Sequence, residues 1–137
     1  MLQPTFCRAN ATAVELLLFD SPESSIPARI IVLNPEEHHT VYYWHVFVKG
    51  LQAGQLYAYR VFGPFRPELG LRFDGSKVLI DPYTRAVMYN GNYDREAARR
   101  PGDNGLQAMK SVVVDNSTYD WEGDTPIKEQ FSSLIIY

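Results

Sequence analysis

With 137 residues and a hydrophobic fraction of 45%, the chain suits one domain that buries about two-thirds of its unfolded surface, which excludes global disorder. A formal net charge of -3 removes the electrostatic pull toward phosphate backbones, so no nucleic-acid partner is expected. The lone Cys7 excludes an internal disulfide, and no apolar run approaches membrane-spanning length, so no membrane partner is expected.

Met1-Leu2-Gln3-Pro4 lacks the basic and apolar regions of an export signal, which with the reduced thiol points to a cytoplasmic protein. The Asn-x-Ser/Thr matches at Asn10 and Asn116 then carry no glycan. Residues 13–19 alternate, with Val14, Leu16 and Leu18 on one face and Glu15 on the other, and Asp20-Ser21-Pro22 ends this strand. A second, β-branched strand is expected over residues 29–33, followed by the polar turn Asn34-Pro35-Glu36-Glu37-His38-His39. The strongest alternation runs over residues 41–49, placing Trp44, Val46 and Val48 on one face and Tyr43, His45, Phe47 and Lys49 on the other. Residues 55–62 repeat the pattern, with Tyr57, Tyr59 and Val61 opposite Leu56, Ala58, Arg60 and Phe62. The intervening Gly50-Leu51-Gln52-Ala53-Gly54 reads as a turn, so the two strands are expected to pair as a hairpin.

Past Gly63-Pro64, short apolar runs at residues 78–80 and 86–89 sit among Pro67, Gly70 and Gly75. A short helix is expected over residues 93–100, with Asp94 near its start and Arg99 and Arg100 near its end. Pro101-Gly102 breaks it, residues 110–114 form a further strand, and residues 115–127 are a polar connector carrying Trp121. Phe131, Leu134, Ile135, Ile136 and Tyr137 form an apolar, β-prone cluster that needs neighbours to be buried, so the chain reads as part of a longer protein. Many short strands between Gly and Pro turns point to an all-β, antiparallel β-sandwich.

The chemical candidates are sparse. Neighbouring residues of Glu36-Glu37-His38-His39 point in different directions and no second cluster completes a metal site, so a solvated turn is expected and no metal. Asp103-Asn104-Gly105 starts like a calcium loop but lacks its later ligands, and reads as a plain turn. No nucleophile motif accompanies His38, His39 and His45, so no catalytic residue is assigned, and no cofactor is implied. The aromatics carry more. Tyr43, His45, Phe47, Arg60 and Phe62 make a face too apolar to be bare, to be covered by this chain's own loops, by a neighbouring domain, or by a ligand such as a sugar that stacks on rings.

Three stretches carry a resemblance: Gly50-Leu51-Gln52-Ala53-Gly54-Gln55-Leu56-Tyr57-Ala58-Tyr59-Arg60-Val61-Phe62-Gly63-Pro64, then Gly70-Leu71-Arg72-Phe73-Asp74, then Leu79-Ile80-Asp81-Pro82-Tyr83. In order and spacing they are similar to the N-terminal domain of glycogen debranching enzymes and isoamylases, and Trp44-His45-Val46 and Tyr119-Asp120-Trp121-Glu122-Gly123-Asp124 fit as well. The resemblance implies a family 48 carbohydrate-binding module, an immunoglobulin-like β-sandwich with an irregular C-terminal extension leading into a (β/α)8 barrel that this chain lacks. It implies a module over residues 1–90, a connector over 91–130, and the opening of the first barrel strand over 131–137. The parent enzyme would hydrolyse α-1,6 branches of glycogen or amylopectin with two carboxylates at barrel strand ends, so the fragment itself is expected to be inactive.

Related modules that grip glycogen use a Trp after an early strand, a Lys, and a second Trp; the matching places here fall at Glu23-Ser24, Ala58 and Phe65. With two of the three groups missing, α-glucan is expected to bind weakly or not at all, through Phe65, Phe62 and Tyr43. Tyr83, Trp121 and Phe131 are the expected contacts to the chain's own barrel, the main partner. The alternative is a stand-alone β-sandwich that binds glycogen or a protein.

Overall fold

The structure, a computed structural model, describes residues 5–7, 10–117, 119–125 and 128. Phe131 and the rest of the expected first barrel strand lie outside the described residues.

The strands are β1 (Thr5–Cys7), β2 (Ala13–Phe19), β3 (Arg29–Val32), β4 (His39–Thr40), β5 (Tyr43–His45), β6 (Leu56–Phe62), β7 (Phe65–Arg66), β8 (Leu71–Arg72), β9 (Ala86–Met88) and β10 (Lys110–Val112). They form a five-stranded sheet in the order β3-β2-β6-β10-β9, a three-stranded sheet in the order β1-β5-β4, and the small ribbon β7-β8. All named pairings are antiparallel. The strand β10 belongs to the sheet although it lies past residue 90 in the chain.

The alternation of β2 and β6 explains the layers, because successive side chains of a strand point to opposite faces. Val14, Leu16 and Leu18 of β2 and Tyr57, Tyr59 and Val61 of β6 join Trp44, Val46 and Val48 in one buried cluster between the two sheets. Leu17 and Phe19 of β2 and Leu56 and Ala58 of β6 point the other way, into a second cluster closed by Val78 and Ala108. The sheet is therefore covered on both faces, one by the smaller sheet and the other by the chain between residues 77 and 110.

The inward faces are as the alternation implied, but the hairpin is not present. Only Tyr43–His45 of residues 41–49 is strand, and it pairs with β1 and β4. Both edges of β6 are already taken, one by β2 over the full length Ala13↔Phe62 to Phe19↔Leu56 and the other by β10. That second ladder is prolonged by Gly54 N donating to Val113 O at 2.8 Å and Val113 N donating to Gln55 O at 2.9 Å. The link through Gly50 and Gly54, whose φ values of 84° and 90° suit glycine, thus carries the chain from one sheet to the other. Trp44 and Tyr59 thus lie on different sheets and share the buried cluster between them.

The covering layer is held by polar side chains that periodicity cannot flag. Lys110, fully buried on β10, donates from Nζ to the carbonyls of Pro22, Gly105 and Ala108 at 3.1, 2.6 and 3.1 Å, 5.0 Å from the centre of the Phe19 ring. Burial holds its ammonium below the usual lysine range. The Lys77 Nζ donates to the carbonyls of Ala97, Arg100 and Gly102. Asn104 accepts from Val78 N at 2.7 Å and donates to Val78 O at 3.3 Å, fixing the start of the layer to its end. The Asp103 carboxylate pairs with Arg60 at 2.8 Å, so Asp103-Asn104-Gly105 is a structural clasp where a plain turn was expected.

The expected short helix condenses to a 3-10 turn, Arg95–Ala98, capped by Asp94, whose side chain accepts from Glu96 N. The turn after β3 contains one helical turn, α1 (Pro35–His38), capped by Asn34. Between β4 and β5, Val41 has a φ of 57°, a left-handed conformation that crowds a β-branched side chain. Val41→Gly is expected to raise stability by up to about 1 kcal/mol, read as a higher urea midpoint at unchanged slope.

Candidate functional site

A groove of about 1010 Å³ lies where β5, the Gly50–Gly54 link and β10 converge. Tyr43, Phe47 and Tyr83 contribute exposed rings to it. Val48, Leu51, Val112 and Val113 supply aliphatic wall, and Arg85 and residues 115–117 supply the rim. Phe47 reaches the groove because its neighbours Val46 and Val48 are drawn into the core, which turns the residue between them outward.

The floor is built by a buried polar group. Tyr57 donates from its hydroxyl to Asp81 Oδ2 at 2.9 Å, and Tyr83 N donates to Asp81 Oδ1 at 2.8 Å. Asp81 N in turn donates to the Ser111 hydroxyl at 2.9 Å. Burial pushes the Asp81 carboxyl above its ordinary range, partly offset by the bonds from Tyr83 and Tyr57. Burial also pushes the Tyr57 phenol up to about 12. The Asp81-Pro82-Tyr83 segment thereby has a physical role: its carboxylate ties the segment to β6 and β10 and sets Tyr83 on the groove.

The structure regroups the residues singled out by sequence. Tyr43 shares the groove with Tyr83, so a residue expected to touch sugar and one expected at a domain boundary lie on one surface. Phe65, on β7, is 67% exposed and stands apart from that groove. The Phe62 ring packs over Gly75, where an added Cβ would come within 2.2 Å of it, so this ring is half-buried in the chain's own structure. Trp121 is exposed and meets Tyr119 edge-on, with ring centres 5.0 Å apart. Ala58 is fully buried in the second cluster and presents no surface. Phe47 was seen only as part of an uncovered face, and Arg85 was not singled out at all, since nothing in its spacing links it to Tyr43.

Among the described residues no group of three or more His, Cys, Asp or Glu side chains is placed to hold a metal ion. His38 instead accepts from Asn34 N at 2.9 Å, and His45 shares a 2.9 Å hydrogen bond with Thr40. No helix among the described residues is long and apolar enough to cross a membrane.

The protein is thus an antiparallel β-sandwich with an open groove lined by aromatic rings. The chain belongs to the carbohydrate-binding module 48 (isoamylase N-terminal domain) family, whose sequence model matches residues 7–84. It is 36% identical over 132 residues to a rice (Oryza sativa subsp. japonica) protein named Isoamylase 1, chloroplastic, covering 94% of this chain and 16% of that protein. It is likewise 36% identical over 137 residues to a Glycogen debranching enzyme of Serratia proteamaculans, covering 94% of this chain and 19% of that protein. The chain thus spans less than a fifth of the length of these relatives.

A solved structure described as the product complex of a multi-modular glycogen-degrading pneumococcal virulence factor, SpuA, superposes with a TM-score of 0.58 at 16% identity, covering 90% of this chain and 12% of that one. This likeness supports the fold, the immunoglobulin-like antiparallel β-sandwich expected from the sequence.

The buried phenol makes stability depend on alkaline pH. An unfolded tyrosine ionises near its ordinary value of 10.0, while folded Tyr57 keeps its proton up to about 12. Between those values the folded state binds more protons, so stability falls with rising pH, by about 1.4 kcal/mol per unit where the proton difference is complete. Tyr57→Phe is expected to cost about 1–3 kcal/mol at neutral pH, by stripping a donor from buried Asp81, and to flatten the alkaline fall in urea titrations.

Proposed function

We propose that this chain is the non-catalytic N-terminal module of an α-glucan debranching hydrolase that cleaves α-1,6 linkages of glycogen or amylopectin in the cytoplasm. The observation that carries the reading is the family match over residues 7–84, joined to relatives named isoamylase and glycogen debranching enzyme. In such an enzyme the two carboxylates that cleave the glycosidic bond belong to a (β/α)8 barrel, at the ends of its strands. The module's work is to brace that barrel, with Tyr83, Trp121 and Phe131 as bracing residues, and to shape the approach of a branched chain.

Direct grip on glucan is weak or absent in this reading. Ala58 is buried where related modules carry a Lys, and Glu23-Ser24 brings no ring, which leaves Phe65, Phe62 and Tyr43 as contacts. The high exposure of Phe65 favours a second reading, in which the module docks glycogen by itself.

Two measurements separate these. The full-length gene product is expected to release linear chains from glycogen while residues 1–137 alone release none, and cleavage by residues 1–137 would refute the first reading. Titration of the full-length protein with maltoheptaose is expected to change by less than about threefold on Phe65→Ala, within 0.7 kcal/mol by the usual conversion of roughly 1.4 kcal/mol per decade. A tenfold or larger loss would establish the second.

A further inference from the structure

We propose that the groove bearing Phe47, Tyr43 and Tyr83 is the seat of the domain that follows the module, and that Phe47 and Tyr83 are its apolar anchors. The inference rests on the reading of the chain as one module of a longer hydrolase, and assigns a surface to the contact which that reading requires.

Two observations select the occupant. The first is where the chain leaves the sandwich. The last strand among the described residues, β10, ends at Val112, and residues 112–117 form one side of the groove itself. The chain beyond residue 117 sets out from the lip of the groove, so a domain tethered to it by a short connector has a raised effective concentration there. The second is length: the matched segment is 16% of the rice relative and 19% of the Serratia relative, so the family's larger members carry most of their mass outside it. Rings such as Phe47 and Tyr83, each more than half exposed beside aliphatic wall, are the kind of anchors that dominate interfaces when buried.

The groove sets its rings and aliphatic wall beside a polar edge of Gln52, Arg85, Asp115, Asn116 and Ser117. Its one buried carboxylate, Asp81, is bonded by the Tyr57 hydroxyl and the Tyr83 amide and is 3% exposed, so it presents almost no surface to a ligand. Arg85 is exposed on the rim and makes no ion pair among the described residues. A guanidinium beside apolar rings fits a partner that presents aliphatic side chains with a carboxylate at their edge.

Hydroxyl-radical footprinting of the full-length protein, without added glucan, tests this. Phe47 and Tyr83 are expected to be modified at least fivefold more slowly than Phe65, which is similarly exposed in the isolated module and lies off the groove. Arg85→Glu, an exposed substitution, is expected to raise the modification of both rings at least threefold. Rates for Phe47 and Tyr83 equal to that of Phe65 would overturn the proposal, and so would protection that emerges only when maltoheptaose is added, which would make the groove a sugar site. Assaying glycogen debranching on the same sample separates the two levels: an active enzyme with open rings refutes the docking surface alone, whereas a sample without that activity refutes the underlying functional reading.

Discussion

The fold depends on one constraint: β6 is saturated. Its two edges are occupied by β2 and β10, and its two faces by separate buried clusters. A strand in that position cannot be content with one layer of neighbours, because leaving Leu56 and Ala58 wet would forfeit the burial that stabilises the sheet, at about 25 cal/mol per Å² of apolar surface. The excursion between residues 77 and 110 is the answer to that demand. Since this layer runs through irregular backbone, it cannot satisfy its own carbonyls by a ladder, and buried Lys77, Asn104 and Lys110 take on that task.

The same saturation positions the candidate site. With no free edge on β6, residues 46–54 must bridge the two sheets, and the bridge leaves Phe47 pointing outward beside Tyr43. Asp81 then anchors the opposite lip to β6 through Tyr57, and to β10 through Ser111. The polar floor and the aromatic rim are therefore consequences of how the core is closed, and a change in the core strand would be felt at the groove.

Much of this was legible in the residues. Period-two alternation assigned Trp44, Val46, Val48, Tyr57, Tyr59 and Val61 to the interior, because a strand's faces are fixed by geometry alone. The pairing of those strands was not legible: alternation says which side chains point inward and nothing about which backbone lies alongside, so a five-residue link between glycines read as a hairpin turn. The clasp of Asp103 with Arg60 and the cage around Lys110 escaped for a related reason, since a charged residue buried by long-range carbonyls resembles a solvated one in sequence. Tyr43 and Tyr83, far apart in the chain, came together on one groove through contacts that no local pattern encodes.

The placement of β10 between β6 and β9 also bears on biosynthesis. The large sheet lacks an interior member until residues 110–112 have left the ribosome, so the Leu56–Tyr57 end of β6, beyond its bridge from Tyr59 to Leu79, waits unpaired and the Phe19 side of the sheet is only partly capped. Local hairpins cannot shorten that wait. Closure is a late, non-local event that joins β10 to β6, about fifty residues earlier in the chain, and during synthesis the nascent module is at its most adhesive immediately before β10 slots into place.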